Sequence, residues 1–205
     1  MNETLKRAIS GTAYVIIMWF GASYSNFSCR LLFALLFIIS FYEMWKLRKG
    51  RNKLLAFTYV LVPFITAQYI IQEDSSRDLI LFIFILTWTF DSFAYLIGIR
   101  FGKKRILPSV SPKKSWEGFI GGFLFTMVTA YLSHKYFNTT IKMALIIGII
   151  LPFTATLGDF IESYYKREAS VKDSGNIMPG HGGILDRMDA FMITIPAIYI
   201  LTTLL

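Results

Sequence analysis

The chain has 205 residues, of which 55% are hydrophobic and 17% charged. Soluble domains carry about 25% charged residues, so a soluble globule, a disordered tail and a coiled coil are excluded, and the chain belongs in a bilayer. The net charge of +8 would suggest nucleic-acid binding in a soluble protein, but here the charges sit in short clusters between long uncharged runs, and the single cysteine, Cys29, excludes a disulfide framework.

A helix needs about 20 mostly apolar residues to cross ~30 Å of hydrocarbon. Runs of that order appear, in chain order, at Ala8–Tyr24, Leu31–Trp45, Leu54–Ile71, Leu79–Ile99, Gly118–Ser133, Met143–Glu162 and Ile184–Leu205. With the N-terminus inside, 17 of the 21 Lys and Arg fall on cytoplasmic segments, among them Lys49 and Arg51; only Arg30, Arg77, Lys135 and Lys142 remain outside. That asymmetry is the positive-inside pattern. The expected fold is therefore all-α and polytopic, with about seven transmembrane helices, N-in and C-out. It forms one integral membrane domain: N-terminal helices over 1–90, then a catalytic region over 91–205 with cytoplasmic loops at 100–117 and 163–183. The first run follows Lys6 and Arg7 and ends in Gly21, Ala22 and Ser23, which also suits a cleavable signal peptide.

Intramembrane acids are costly and mark function by default. Asp91 lies on the cytoplasmic half of the fourth run, about 18 Å from its outer end at 1.5 Å per residue. Asp159 and Glu162 close the sixth run, and Asp186 and Asp189 open the seventh; each pair is spaced i, i+3 and shares a helical face. Ser163 and Lys166 continue the Asp159 face. Any one of these acids could be a plain ion-pair partner of Lys166, Arg167 or Arg187 at the headgroup boundary. Together they suit Mg²⁺, which takes one or two carboxylates plus substrate phosphates.

Two loops carry the complementary signals. Met178-Pro-Gly-His-Gly-Gly183 is a glycine-rich turn opening a helix, a geometry that holds phosphate oxygens on backbone N–H groups. Within it His181 reads as a general base, a phosphate donor or simply a loop residue. Ser111, Lys113, Lys114 and Ser115 precede a helix start at Ser115 and suit a polyanion, although a positive-inside loop with an N-cap would look similar. Gly98 with Gly102, and Gly118 with Gly122, are small-residue spacings suited to helix packing.

Ser163-Tyr-Tyr-Lys166-Arg167, then Lys172-Asp173-Ser-Gly175, then Pro179-Gly-His181-Gly182-Gly183-Ile-Leu-Asp186-Arg187-Met-Asp189 resembles the signature of the phosphatidate cytidylyltransferases, the CDP-diacylglycerol synthases. Ser111-Pro-Lys-Lys-Ser-Trp-Glu-Gly-Phe-Ile-Gly-Gly122 resembles a second characteristic stretch of that family, and Gly158-Asp159 with Glu162-Ser163 resembles the helix leading into the signature. Tyr165 and Met178 depart from it, both on apolar faces. The resemblance is strongest from Asp91 onward.

It implies transfer of CMP from CTP to phosphatidic acid in phospholipid biosynthesis at the cell inner membrane, with the active site facing the cytoplasm, Mg²⁺ required and a second, monovalent ion left open. It further implies Asp159, Asp186 and Asp189 as metal ligands, with Ser163, Lys166 and His181 also catalytic. Ser111, Lys113, Lys114, Ser115, Arg167, Lys172, Gly182, Gly183 and Arg187 would contact phosphates. Partners are CTP, phosphatidic acid and membrane lipid, not nucleic acid, and a homodimer is compatible. The rivals are a CTP-dependent lipid kinase, which would release CDP, and a cation-coupled transporter, which needs acids near the midplane where only Asp91 approaches. A scaffold protein would tolerate amidation of every acid.

Overall fold

The computed structural model describes residues 3–48, 53–72 and 76–204; Lys49 and Arg51 fall outside them. Among the described residues seven α-helices follow one another: α1 Glu3–Ser23, α2 Asn26–Leu47, α3 Lys53–Ile70, α4 Ser76–Phe101, α5 Trp116–Ser133, α6 Ile141–Glu168 and α7 Leu185–Leu204. Each expected run lies on one of them. Five, α2, α3, α4, α6 and α7, are long and apolar enough to cross a membrane.

Polar residues between the runs start the helices. Ser25 caps α2 in a reciprocal box with Ser28, and Thr140 caps α6 through the Met143 amide, each satisfying an amide that the first turn leaves without a partner. Helices α2, α3, α5 and α7 are apolar with little difference between their faces, as lipid-immersed helices are. Phe33, Phe84 and Phe191 form a buried aromatic centre joining α2, α4 and α7, while Phe27, Leu55, Leu132 and Phe153 face outward.

The helices alternate in direction. Contacts join the start of α1 and α3, the end of α2 and α6, and the start of α7. The end of α4 and the start of α5 meet at the same end of the bundle.

The structure differs from the sequence expectation in two places. Within the 100–117 loop, β1 Arg105–Leu107 pairs antiparallel with β2 Ser111–Ser115, a small hairpin in an otherwise helical fold. Glu117 fastens it by accepting hydrogen bonds from the Lys103 and Lys104 amides. Its own amide and these two hold the carboxylate below its ordinary pKa. Ser115 caps α5 through the Gly118 amide, as expected. The second difference is α6, which continues to Glu168, about 42 Å in all at 1.5 Å per residue, so Ser163–Arg167 is helix and not loop. The reason is local: Lys166 pairs with Glu162 one turn back.

Glycines set the closest helix crossings. A Cβ on Gly118 would meet the Ala94 carbonyl, and one on Gly122 the Phe90 backbone, so the spacing on α5 serves packing against α4. A Cβ on Gly158 would collide with the Asp189 carbonyl, where α6 crosses α7. Gly158→Val is accordingly expected to lower stability by about 3 kcal/mol through overpacking, read as a drop in the detergent melting temperature, and to separate the carboxylates on either side of the crossing.

Candidate active site

Around the α6–α7 junction the acids divide into two sets with different surroundings. The first is a closed network. Lys166, nearly buried, bridges Glu162 and Asp186, the latter at 2.7 Å. The other Asp186 oxygen accepts from the Ser174 amide, the Ser174 hydroxyl and the Gly183 amide, all at 2.8 Å. The Ser174 hydroxyl oxygen also lies 3.2 Å from the Glu43 carboxyl of α2. Glu43, only 2% exposed, accepts from the Ile184 and Leu185 amides at 3.2 and 2.8 Å. It thereby caps α7 from another helix, where the dipole favours a negative charge.

Glycines make this packing possible. Gly175 and Gly183 lie so close to the Glu43 carboxylate that neither has room for a side chain. Gly182 has φ +86, and a Cβ there would meet Asp186 Oδ2 at 2.6 Å; a left-handed backbone and a crowded carboxylate both call for glycine.

The second set is open. A cavity of about 560 Å³ is lined by Asp91, Arg105, Ser111, Lys113, Lys114 and Ser115 together with apolar residues of α4 and α5, a size typical of small-molecule sites at ~300–1,000 Å³. Lys114 reaches Asp159 at 2.5 Å. The Asp159 carboxyl in turn lies against that of Asp189. A second cavity, about 430 Å³, is lined by Asp91, Asp189, Asp186, His181 and Arg187, with Gly11, Tyr14 and Val15 of α1. Asp91 is common to both cavities.

The residues singled out in the sequence separate along the same line. Ser111, Lys113, Lys114 and Ser115 come together at the first cavity, and His181, Arg187 and Asp189 at the second, where Asp186 of the closed network also reaches the lining. Lys166 and Gly183 belong to the closed network, and Ser163 is buried beside it. Arg167 is exposed and bonds the Val110 and Val171 carbonyls at 3.4 Å, tying the hairpin to the signature loop. Lys172 and Asp173 are exposed and line neither cavity.

The metal set expected from the sequence does not gather. Among the described residues no three His, Cys, Asp or Glu side chains form a cluster suited to an ion, and the Asp186 oxygens are taken by Lys166, Ser174 and Gly183. Asp159 and Asp189 do fit a divalent cation, since two facing carboxylates repel until a cation or proton comes between them, and Mg²⁺ needs no more than that plus substrate oxygens.

Glu43, Ser174 and the α1 residues went unread in the sequence. A lone acid in Phe41-Tyr-Glu-Met-Trp45 carries the same signal as Asp91 and could have been found by it. Ser174 and α1 offer no local sign.

This arrangement defines a polytopic membrane protein with a basic, hydroxyl-bearing cavity whose Lys114 pairs with one of two neighbouring carboxylates. Residues 49–205 match the family described as Cytidylyltransferase family. Among curated proteins the chain is 40% identical over 179 residues to a phosphatidate cytidylyltransferase of Haemophilus influenzae, covering 80% of this chain and 62% of that protein. It is 37% identical over 203 residues to the enzyme of the same name from Staphylococcus saprophyticus, covering 94% and 77%. With that of Staphylococcus aureus it shares 39% over 179 residues, covering 84% and 68%. The chain thus spans about three fifths to three quarters of the length of these relatives, and it belongs to the cytidylyltransferase family.

Proposed function

We propose that this chain transfers CMP from CTP to phosphatidic acid, giving CDP-diacylglycerol and diphosphate, with the site end of the bundle on the cytoplasmic side of the cell membrane. The observation that carries this reading is the first cavity, lined by Asp91, Ser111, Lys113, Lys114 and Ser115, whose Lys114 pairs with Asp159, the neighbour of Asp189. A triphosphate needs cations and hydroxyls, and phosphoryl transfer needs its developing charge neutralised in place.

An oxygen of the lipid phosphate attacks the α-phosphorus, and the bond to the diphosphate oxygen breaks. The attacking phosphate is already anionic, so no strong base is called for. Asp159 and Asp189 would hold Mg²⁺, which neutralises charge on the transferring phosphoryl oxygens. Lys114, paired with Asp159 before substrate arrives, exchanges that anion for a phosphate, while Lys113, Ser111 and Ser115 orient the triphosphate. Arg187 and His181 face the second cavity, beside the attacking phosphate.

The test is turnover of the detergent-solubilised full chain with phosphatidic acid, Mg²⁺ and CTP labelled at the α-phosphate. Label entering lipid together with released diphosphate supports the reading; γ-label entering lipid, or no transfer by folded protein, overturns it. Lys114→Met is expected to raise the KM for CTP about tenfold, the loss of one charge-assisted hydrogen bond, and to change the KM for lipid far less; steady-state kinetics with each substrate varied would check this.

A further inference from the structure

We infer that Ser10 of α1 is a positioning residue for His181, and that α1 is thereby part of the reaction site; the inference deepens the proposed transferase reading and rests on it. The Ser10 hydroxyl lies 2.8 Å from the Pro179 carbonyl and 2.8 Å from His181 Nδ1. A hydroxyl has one proton to give, and a carbonyl oxygen can only accept. The Ser10 proton therefore goes to Pro179, and the second contact needs its proton on Nδ1. The neutral ring is held in the Nδ1–H tautomer, with Nε2 as its basic nitrogen.

The surrounding contacts fix the ring's place as well as its tautomer. Gly11 leaves the ring room, since a Cβ there would meet Cε1 at 3.2 Å. The His181 amide donates to Met178 at 2.9 Å, and the His181 carbonyl accepts from Arg187 at 2.8 Å. One turn along α1, the Tyr14 hydroxyl donates to the Arg187 carbonyl at 3.3 Å. Ser10 and Tyr14, spaced i, i+4 on one face, thus hold both ends of the segment His181–Arg187. His181, Arg187, Tyr14 and Gly11 all line the second cavity with Asp189. Ser10 thus keeps the ring in one tautomer and one orientation at the second cavity; without it the ring spreads over tautomers and rotamers.

The chain has two histidines, so ¹⁵N-histidine labelling of the full protein in detergent gives two rings, separated by His181→Ala. His181 is expected as the Nδ1–H tautomer in the wild type, as a tautomer mixture in Ser10→Ala, and restored in Ser10→Thr, which keeps the hydroxyl. His134, whose Nδ1 lies 2.6 Å from the Tyr131 carbonyl, should not change. In parallel, Ser10→Ala is expected to lower kcat/KM for CMP transfer about tenfold, the scale of one oriented hydrogen bond, with Ser10→Thr recovering most of it. The Ser10→Ala/His181→Ala double variant should be no slower than His181→Ala alone, because Ser10 acts through the ring. A wild-type ring protonated at Nε2, an unaffected Ser10→Ala, or losses that multiply in the double variant overturns the inference. Wild-type protein without CMP transfer overturns the functional reading instead, a result distinguishable from an Nε2–H ring in an active enzyme.

Discussion

Asp189→Asn is expected to leave the protein folded and to lower CMP transfer by about 10³-fold, the several kcal/mol that a bound metal contributes to a charged transition state. The two halves of this expectation have one cause. Asp189 faces Asp159 across the α6–α7 crossing, and neighbouring carboxylates repel. An amide in its place donates a hydrogen bond to Asp159 and removes the repulsion, so the substrate-free melting temperature should stay level or rise. What is lost is the second anionic ligand, which matters only when the cation and triphosphate are present.

Asp186→Asn should behave in the opposite way. Both Asp186 oxygens are occupied by Lys166, Ser174 and Gly183, and an amide would turn an N–H toward the Lys166 ammonium. Breaking one arm of a buried ion pair costs about 3 kcal/mol, so this variant should lose activity because the loop loosens, with a lowered melting temperature. Measuring turnover and thermal unfolding on both variants separates a ligand from a strut; equal melting losses in the two would refute the division of the acids into an open and a closed set.

The helices were legible because crossing hydrocarbon requires long apolar runs, and the charge clusters that end those runs survive in one dimension. Ser115 as a cap and the packing glycines of α5 were legible for the same local reason. Other features depend on partners far along the chain. Asp186 looks like a ligand beside Asp189, and only the three-dimensional approach of Ser174 and Lys166 shows that its oxygens are taken. Ser10 reaches a carbonyl 169 residues away, and nothing around it in sequence marks that. The resemblance to the cytidylyltransferases pointed to the signature as a unit, but it did not separate the residues that frame the loop from those that face the cavities.

Glu43 tests that separation at a residue outside the signature. Glu43→Leu keeps the apolar character of α2 and leaves the Ile184 amide, just before α7, and the Leu185 amide that opens it without an acceptor. Each buried unpaired donor costs about 1–3 kcal/mol, so a loss of about 3 kcal/mol is expected, enough to unfold a marginal membrane domain on mild heating. Glu43→Gln retains one carbonyl oxygen but turns an NH₂ toward the remaining donors, so it should fall between wild type and Glu43→Leu. Because Gly175 and Gly183 are packed against the carboxylate itself, the signature loop should become protease-sensitive in both variants before the helices melt. Limited proteolysis followed by mapping of the first cut would show it. A first cut elsewhere, with the loop intact and transfer activity retained, would mean that α7 is held by its own packing and that Glu43 is incidental. The order of failure is the informative quantity: if the loop opens first, the acid on α2 keeps Asp189 facing Asp159, and the second helix is as much a part of the reaction site as the signature it supports.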